Sequence, residues 1–337
     1  ITQANGLTTT QVRNSAGQLV SSTSTASGQP SRVATYLYDA AGRNVATVDA
    51  MGGTHYTFYD ADGRVAGVVD AGGAVTSYRY DADGHAIGTT QYATTLDTSG
   101  WISAGALTAS FPADLPLPTA SADDRTAHAI FDAAGCAIAT IDAEGDVVAT
   151  TYDGEGRAIR TTAYATALNA AQLAALGNAP TWAALQGVLS DNVNDRTTFT
   201  IYDADGRAAA SIDASGFVTT TGYDTAGRAV STTAYATALT AAQRAALGDA
   251  PSLSALQADL ATSDNDQTTL AYYDGAGRLV AQVDAEGYLT TTAYDETTPT
   301  DTTIRYALAL TTALTGHESV ATLVGLLGVE GAEKEAA

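Results

Sequence analysis

The sequence predicts a mainly β protein with α inserts, in which an antiparallel β-meander is built from a repeated unit. The pattern Tyr-Asp-x-x-Gly-Arg, called the YD motif below, recurs along the chain. From Tyr38 onward, the copies and their degenerate relatives follow at steps of 21, 21, 51, 21, 50, 21, 50 and 21 residues. A fixed period of this size indicates an array of supersecondary units. Arrays bind, enclose or span more often than they catalyse.

Six copies of the YD motif are complete, and we take their residues as the structural repeat motif. Three further copies are degenerate: Tyr80-Asp81 with Gly84 and His85, Phe131-Asp132 with Gly135 and Cys136, and Tyr294-Asp295. The complete copies are Tyr38, Asp39, Gly42, Arg43; Tyr59, Asp60, Gly63, Arg64; Tyr152, Asp153, Gly156, Arg157; Tyr202, Asp203, Gly206, Arg207; Tyr223, Asp224, Gly227, Arg228; and Tyr273, Asp274, Gly277, Arg278.

One period is predicted to contain two strands and two turns. Residues 43–48 and 54–59 are rich in β-branched and aromatic residues, and each run ends in Asp-x-x-Gly. Asp supplies a side-chain acceptor to the turn, and Gly adopts positive φ without strain. In the strand before the second turn, one position is bulky and the position two residues earlier is small, which predicts a packed face. The bulky residues are Val48, Val69, Ile141, Ile212 and Val283; the small ones are Ala46, Gly67, Ala139, Ala210 and Ala281.

The two kinds of step arise because some second turns carry inserts. Residues 164–177 and 235–248 are nearly identical and predict a helix capped by Asn169 or Thr240 and ended by a glycine. The two glycines are Gly177 and Gly248. A second short helix is expected after Pro180 or Pro251, so that each insert forms a helical hairpin.

The inserts define a larger unit of the chain, which we call the large repeat. Its period is 71 residues, from Phe131 to Tyr202 and again from Tyr202 to Tyr273. We expect one helical hairpin per large repeat, with all hairpins on one edge of the meander. The many strands of such a meander must coil into a superhelical, solenoid-like sheet.

This arithmetic gives a predicted order of segments. They are a degenerate leading repeat (1–31), YD repeats (32–91), a diverged insert (92–130), YD repeats (131–163), a helical hairpin (164–195), YD repeats (196–234), a helical hairpin (235–266), YD repeats (267–305) and a partial helical insert (306–337). Since the chain opens at Ile1 without Met and its end repeats are not polar caps, we expect a processed product or a segment of something longer.

Composition excludes several classes of function. The formal charge of −22 and a single lysine, Lys334, argue against binding to nucleic acid. The longest apolar stretch, about 320–329, is too short for a membrane span. Cys136 is the only cysteine, so no internal disulfide can form.

The YD motif followed by a strand and Asp-x-x-Gly resembles the YD-repeat (Rhs-type) family, over nearly all of residues 32–306. This resemblance implies a long coiling β-sheet and a secreted or surface-displayed bacterial protein, because known members form toxin-enclosing shells, extracellular stalks or adhesive chains. The sequence departs from the shell type in its regular helical inserts. It also lacks the self-cleavage segment and variable toxic domain expected after the last repeat. Both departures favour a stalk or filament.

Three turns resemble the start of a calcium loop: Asp60 with Asp62, Asp81 with Asp83, and Asp203 with Asp205. Calcium takes six to eight oxygens, and no bidentate Glu follows at the needed offset. Since other turns lack the second acid, we favour a structural role for these turns and expect no cofactor. Calcium binding is the weaker alternative.

For the histidines, the cysteine and the tyrosines of the inserts, we favour structural roles over metal binding, catalysis or ligand binding. His55, His85, His128 and His317 lack metal-ligand spacing. Cys136 occupies the Arg position of a degenerate motif and is expected to be inert. Four tyrosines open the inserts and could stack on sugars, but packing at the strand–helix junction is favoured; they are Tyr92, Tyr164, Tyr235 and Tyr306.

The sequence thus predicts a non-enzymatic structural repeat segment that forms a stalk, filament or adhesive fibre outside the cell or at its surface. Its expected partners are copies of itself or neighbouring repeats of a longer chain, with a surface glycan as a further candidate. Two alternatives stay open, a shell enclosing a toxin and a module that binds carbohydrate or another surface.

Overall fold

The computed structural model describes residues 7–190, 192–295 and 301–328, and the backbone of 334–336. Parts of the predicted leading repeat (1–6), second insert (191), last YD segment (296–300) and final insert (329–333 and 337) lie outside the described residues. The chain forms two compact units. The first contains Ile1–Val148 and Thr166–Asp191, and the second contains Ala149–Ala165 and Asn192–Ala337.

The first unit is built from short strands with two helices. Its elements are β1 (Thr8–Arg13), β2 (Leu19–Thr25), β3 (Arg32–Tyr38), β4 (Asn44–Val48), β5 (Thr54–Tyr59), β6 (Val65–Val69), β7 (Val75–Tyr80), β8 (Ala86–Gln91), β9 (Ile102–Ser103), β10 (Ala106–Leu107), β11 (Arg125–Phe131), β12 (Ala137–Ile141), α1 (Ala170–Leu176) and α2 (Trp182–Gln186). The division between the units falls within β13 (Val147–Tyr152).

The second unit is built from the same kinds of element. They are β14 (Ala158–Ala163), β15 (Arg196–Tyr202), β16 (Ala208–Ile212), β17 (Val218–Tyr223), β18 (Ala229–Ala234), α3 (Ala241–Ala246), α4 (Leu253–Asp259), β19 (Gln267–Tyr273), β20 (Leu279–Val283), β21 (Tyr288–Tyr294), β22 (Asp301–Ala309), α5 (Val320–Leu326) and β23 (Lys334–Ala336). None of the described helices is long and apolar enough to cross a membrane.

Strands that follow each other in the chain pair antiparallel, which confirms the predicted β-meander. In the first unit β1 to β8 pair in order, and β8 pairs with β11 across the first insert. In the second unit β14 to β23 pair in order. The register shifts at the YD aromatic, for example between Leu37 and Tyr38. Such YD turns therefore begin with a β-bulge, which increases the local strand twist.

The predicted packed face forms the core of both units. Its small residues, Ala46, Ala139, Ala210 and Ala281, are 1–2% exposed. Its bulky residues Val69, Ile141, Ile212 and Val283 are 0–4% exposed, whereas Val48 is half-buried. Side chains of the inserts cover this face. The alternation of bulky and small side chains along one face therefore leaves room for the inserts to pack against the sheet.

The four inserts occupy 92–130, 164–195, 235–266 and the residues from 306 onward. The second and third each contain two helices, and α1 and α3 begin one large repeat apart, at Ala170 and Ala241. The predicted N-caps Asn169 and Thr240 both form capping boxes, with Gln172 and Gln243.

One helical hairpin per large repeat is not confirmed as a rule for the whole chain. Residues 92–130, all of which the structure describes, contain the strand pair β9–β10 and no helix. Three prolines in this segment, Pro112, Pro116 and Pro118, remove backbone donors that a helix needs. The fourth insert contributes one helix, α5, among its described residues.

Candidate functional site

The YD turn is held by its own aspartate. Oδ1 of Asp39 accepts the backbone N–H of Arg43 at 2.8 Å, and Oδ2 accepts Nε–H of the same arginine at 2.7 Å. Gly42 has φ of +83° and donates its N–H to the Asp39 carbonyl at 3.0 Å. A side chain at this positive φ would be strained, which explains the glycine. The other complete motifs repeat this geometry.

Each arginine of a complete motif lies over the tyrosine ring of a following motif. The distance from the guanidinium carbon to the ring centroid is 4.5–4.7 Å in six pairs. This is the geometry of a cation–π contact. We call this series the Arg–Tyr ladder; its pairs are Arg43–Tyr59, Arg64–Tyr80, Arg157–Tyr202, Arg207–Tyr223, Arg228–Tyr273 and Arg278–Tyr294.

The tyrosine hydroxyl completes each rung of the ladder. It donates to the backbone carbonyl of the residue after the arginine, as in Tyr59 to Asn44 at 2.9 Å and Tyr223 to Ala208 at 2.9 Å. Two rungs, Arg157–Tyr202 and Arg228–Tyr273, join motifs separated by an insert. The ladder therefore continues past an insert, because the strands that flank the insert still pair. The tyrosines are half-buried rather than core residues, unlike their buried neighbours Phe58 and Ile201.

Hydrogen bonds from the turn lower the pKa of the turn carboxylates. The backbone N–H of Arg207, followed by its guanidinium, lowers the pKa of Asp203. For Asp60, burial alone would raise the pKa, but the side-chain and backbone hydrogen bonds from Arg64 lower it. The hydrogen bond and charge of Asp203 raise the pKa of Arg207 in turn. The motif thus holds an ion pair within the turn.

Arginines already bind the carboxylates of two of the three candidate calcium turns. Arg64 lies 2.7 Å from Asp60 and 2.9 Å from Asp62. Arg207 contacts Asp203 at 2.7 Å and Asp205 at 2.8 Å. A guanidinium between the two acids replaces the cation that a calcium loop would bind.

The third candidate turn differs because His85 stands in the arginine position. Ligand atoms of Asp81, Asp83 and His85 all lie within 4.8 Å of one another, the one such group among the described residues. The His85 Nδ1 atom is 2.9 Å from Oδ2 of Asp81. Three groups fall short of the six to eight oxygens that calcium takes.

His85 and Phe131 together form a degenerate rung of the ladder. Their rings stack with centroids 4.6 Å apart and planes at 18°. Cys136, at the next arginine position, is a half-buried free thiol. Among the described residues, the four histidines do not come together as a metal-binding group.

The insert tyrosines pack as the sequence favoured. Tyr306 is 7% exposed within a cluster that includes Leu323, and Tyr92 and Tyr235 pack against buried clusters of their own units. Tyr164 is half-buried.

Each insert is fixed to the sheet by a glycine–leucine contact that sequence reasoning missed. The leucine N–H donates to the carbonyl of the second-turn glycine at 2.8 Å, as in Leu239 to Gly216. A Cβ on Gly216 would lie 2.6 Å from the Leu239 carbonyl oxygen. The glycine is therefore needed both for its φ of +94° and for the close approach of the insert. The other pairs are Gly73–Leu96, Gly145–Leu168 and Gly287–Leu310.

Each of the first three inserts is closed by one aspartate, whose carboxylate binds backbone N–H groups at both ends of the insert. In the third insert, Oδ1 of Asp266 accepts the N–H of Ala236 at 2.8 Å, and Oδ2 accepts the N–H of Ser263 at 2.9 Å. Asp124 and Asp195 make the same two bonds. Each of these aspartates follows the previous one by one large repeat, a spacing that could have revealed them. We call the glycine–leucine contact and this aspartate the insert base.

Two stretches of the chain are similar to a known family of repeats. The RHS Repeat family model matches residues 59–95 and 202–238. No curated protein sequence matches this chain.

Solved structures of Tc toxins are similar over most of the chain. A TcdB2-TccC3-Cdc42 crystal structure has a TM-score of 0.45 at 15% identity, covering 88% of this chain and 15% of that one. The Tc holotoxin pore of Photorhabdus luminescens, with a TccC3 mutation, has a TM-score of 0.44 at 14% identity, covering 88% and 14%. The chain thus spans only a small part of the length of these proteins.

Proposed function

The chain carries RHS repeats, and from that premise we propose that it is a non-enzymatic structural segment of a secreted or surface-displayed protein. Within such a protein it forms a stalk, filament or adhesive fibre. Its partners are copies of itself or neighbouring repeats, and a surface glycan is a further candidate.

The Arg–Tyr ladder is the observation that carries this proposal. In a complete motif the aspartate binds its own turn, the arginine binds that aspartate and covers a tyrosine, and the tyrosine hydroxyl binds the backbone. The charged and aromatic groups of the repeat are therefore used in joining strands. A motif that repeats for mechanical continuity is expected of a structural element rather than an active site.

The filament proposal is tested by particle shape under conditions that change charge screening. We expect electron microscopy or small-angle scattering of the purified chain to detect elongated particles or end-to-end filaments. Salt or divalent cations promote their bundling, because screening reduces repulsion between chains of charge −22. A compact monomer at every salt and calcium concentration contradicts the proposal.

An edge-strand variant sharpens this test. Among the described pairings, β1 pairs with β2, and Val12 on β1 is 51% exposed. Lysine on an edge strand opposes strand addition, so Val12→Lys is expected to shorten or abolish filaments. The control is Val193→Lys in the second insert, where Val193 is 97% exposed. Equal filament lengths for the two variants would argue against assembly through β1.

A shell that encloses a toxin is the second candidate, because the family whose repeat model matches at two places includes such shells as well as stalks. The full-length gene product distinguishes the two. A cleavage segment and a toxic domain after the repeats support the shell, whereas further repeats with helical inserts support the stalk.

A further inference from the structure

The first unit contains a pocket of about 1120 Å³ beneath the first insert. The facing strands β7, β8 and β11 form its floor, and residues 114–122 and α1 form its walls. We call it the Arg79 pocket. Its volume is slightly above the range of about 300–1,000 Å³ that is usual for small-molecule sites.

The floor of the pocket follows the register of the sheet. Arg79 on β7 pairs with Gly88 on β8, which pairs with His128 on β11. The next row on the same face, two residues along each strand, contains Thr90 and Thr126, whose hydroxyls are 3.0 Å apart. Gly88 has no side chain, and the Arg79 guanidinium occupies the space that a Cβ at Gly88 would fill. The arginine therefore lies across the strand toward His128.

Arg79 forms no ion pair with an acidic side chain among the described residues. Its Nε and Nη2 atoms and the Nδ1 atom of His128 are buried and form no hydrogen bond. His128 is 8% exposed. Burial, and then the charge of Arg79, lower the pKa of His128, so the imidazole is neutral and Arg79 supplies the positive charge. Buried polar groups without partners are costly, and a ligand that binds them offsets that cost.

Three acidic residues also line the pocket, but two of them bind groups other than Arg79. Asp60 binds Arg64 at 2.7 Å, and Asp124 accepts the backbone N–H groups of Ala93 and Ser121. The third, Asp114, is exposed on the wall. None of them forms a described ion pair with Arg79.

The walls of the pocket are largely apolar. Leu115 and Leu117 of the first insert line it, together with Leu173 and Ala174 of α1. Leu117 is 58% exposed, an unusual exposure for a leucine that lines a concave surface. An apolar pocket with a few polar groups at its floor is typical of a site that orients a small molecule.

We propose that the Arg79 pocket binds a small organic acid with an apolar body. The Arg79 guanidinium receives the carboxylate, since its planar fork matches the two oxygens of that group. The neutral His128 supplies a further hydrogen bond, and the leucines cover the apolar body. The site is independent of the structural role proposed for the repeats.

Two ligands that differ only in charge test this site. In fluorescence or calorimetric titrations, 1-naphthylacetate is expected to bind saturably with one site per chain. The neutral 1-naphthylacetamide is expected to bind at least about tenfold more weakly, since it lacks the anion. Absence of saturable binding of the acid at about 1 mM, or equal affinity for acid and amide, overturns the proposal.

Variants assign the effect to Arg79. Arg79→Gln is expected to weaken the acid by at least about tenfold and leave the amide unchanged. Arg79→Lys keeps the charge and replaces the glutamine variant if that variant fails to fold. The lysine variant is expected to bind the acid with an affinity between those of the wild type and Arg79→Gln. Arg125→Gln on β11 is the matched control, because Arg125 is exposed and paired with Glu144 outside the pocket. Unchanged acid affinity in both folded Arg79 variants, or an equal loss in the control, contradicts the proposal.

Discussion

The first and third inserts share a base and differ in everything above it. Asp124 in one and Asp266 in the other accept the same pair of backbone N–H groups. Above that base, the first insert packs Trp101 against aromatic rings, whereas the third packs two capped helices. The base therefore fixes where an insert begins and ends, and the chain between these points is free to change its structure.

The sheet beneath the two inserts differs in the same way. The row Arg79, Gly88 and His128 in the first unit corresponds in motif offset and register to Gly222, Ser231 and Leu270 in the second. This copy of the row contains no charge, so the fold does not require a buried arginine in every copy. Another copy in the second unit carries Arg160, which pairs with Asp249, whereas Arg79 forms no described ion pair.

The largest expected effect comes from removing the core residue of either insert. Trp101 is 7% exposed and contacts Tyr56 and Phe111 with ring centroids 4.8 and 5.9 Å away. Leu256 of α4 is 0% exposed. We expect Trp101→Ala to lower the unfolding free energy by ~3–5 kcal/mol and Leu256→Ala by ~2–5 kcal/mol, measured by denaturant melts.

Exposed positions supply the controls for this pair. Met51→Ala and Val193→Ala replace side chains that are 96% and 97% exposed and are expected to change stability by less than about 0.5 kcal/mol. A loss below about 1 kcal/mol for Trp101→Ala would mean that the first insert lacks a packed core, unlike the third.

The repeated strands and turns could be predicted from the sequence, whereas features that depend on contacts between distant residues could not. The spacing of Tyr59 and Asp60 predicted strands and turns, because these depend on residues close in the chain. The spacing of the base aspartates by one large repeat was visible in the sequence, but their partners were not, since Asp266 binds a backbone N–H 30 residues away, at Ala236. Nothing in the sequence around Arg79 singled it out, because its isolation depends on two neighbouring strands and an insert.

The second prediction separates the insert base from turn strain. Gly73 and Gly216 contact an insert leucine, whereas Gly84 and Gly227 occupy YD turns with no insert above them. All four have φ between +81° and +94°. Alanine is therefore strained at each by about 1–2 kcal/mol, but at Gly73 and Gly216 overpacking adds ~1–3 kcal/mol. Equal losses of unfolding free energy in the denaturant melts of all four variants would show that the insert base does not stabilise either unit.

The third prediction concerns acid. Since the folded pKa of Asp203 is lowered, its ionised form stabilises the fold above the unfolded pKa of about 3.9, and this contribution is lost as the pH falls through the folded value. Arg207→Gln removes the guanidinium and leaves the backbone hydrogen bond, so it flattens part of this acid dependence. Arg64→Gln is expected to do the same in the first unit, where Arg64 binds Asp60. Arg196→Gln, at an exposed position on β15 outside the YD turns, is the control; an identical slope of stability against pH in all three variants would count against the turn carboxylates.

The smallest effect repairs the degenerate rung. Tyr80 donates its hydroxyl to the carbonyl of Val65, the residue after Arg64, at 2.9 Å. Phe131 has no hydroxyl for the corresponding carbonyl of Ala86, the residue after His85. Phe131→Tyr is therefore expected to raise the unfolding free energy by ~0.5–1.5 kcal/mol, the net value of one hydrogen bond.

A double-mutant cycle tests whether that rung acts as a unit. His85→Arg supplies the guanidinium that covers a tyrosine in the complete rungs, and combining it with Phe131→Tyr restores both partners. If the ladder stabilises through the pair, the double variant gains ~0.5–1 kcal/mol beyond the sum of the single changes, as a cation–π contact at a partly exposed site does. Phe217→Tyr, at a turn residue that is 47% exposed, controls for the hydroxyl alone. Strict additivity of His85→Arg and Phe131→Tyr would mean that arginine and tyrosine contribute separately, and that the ladder is a sequence of independent contacts.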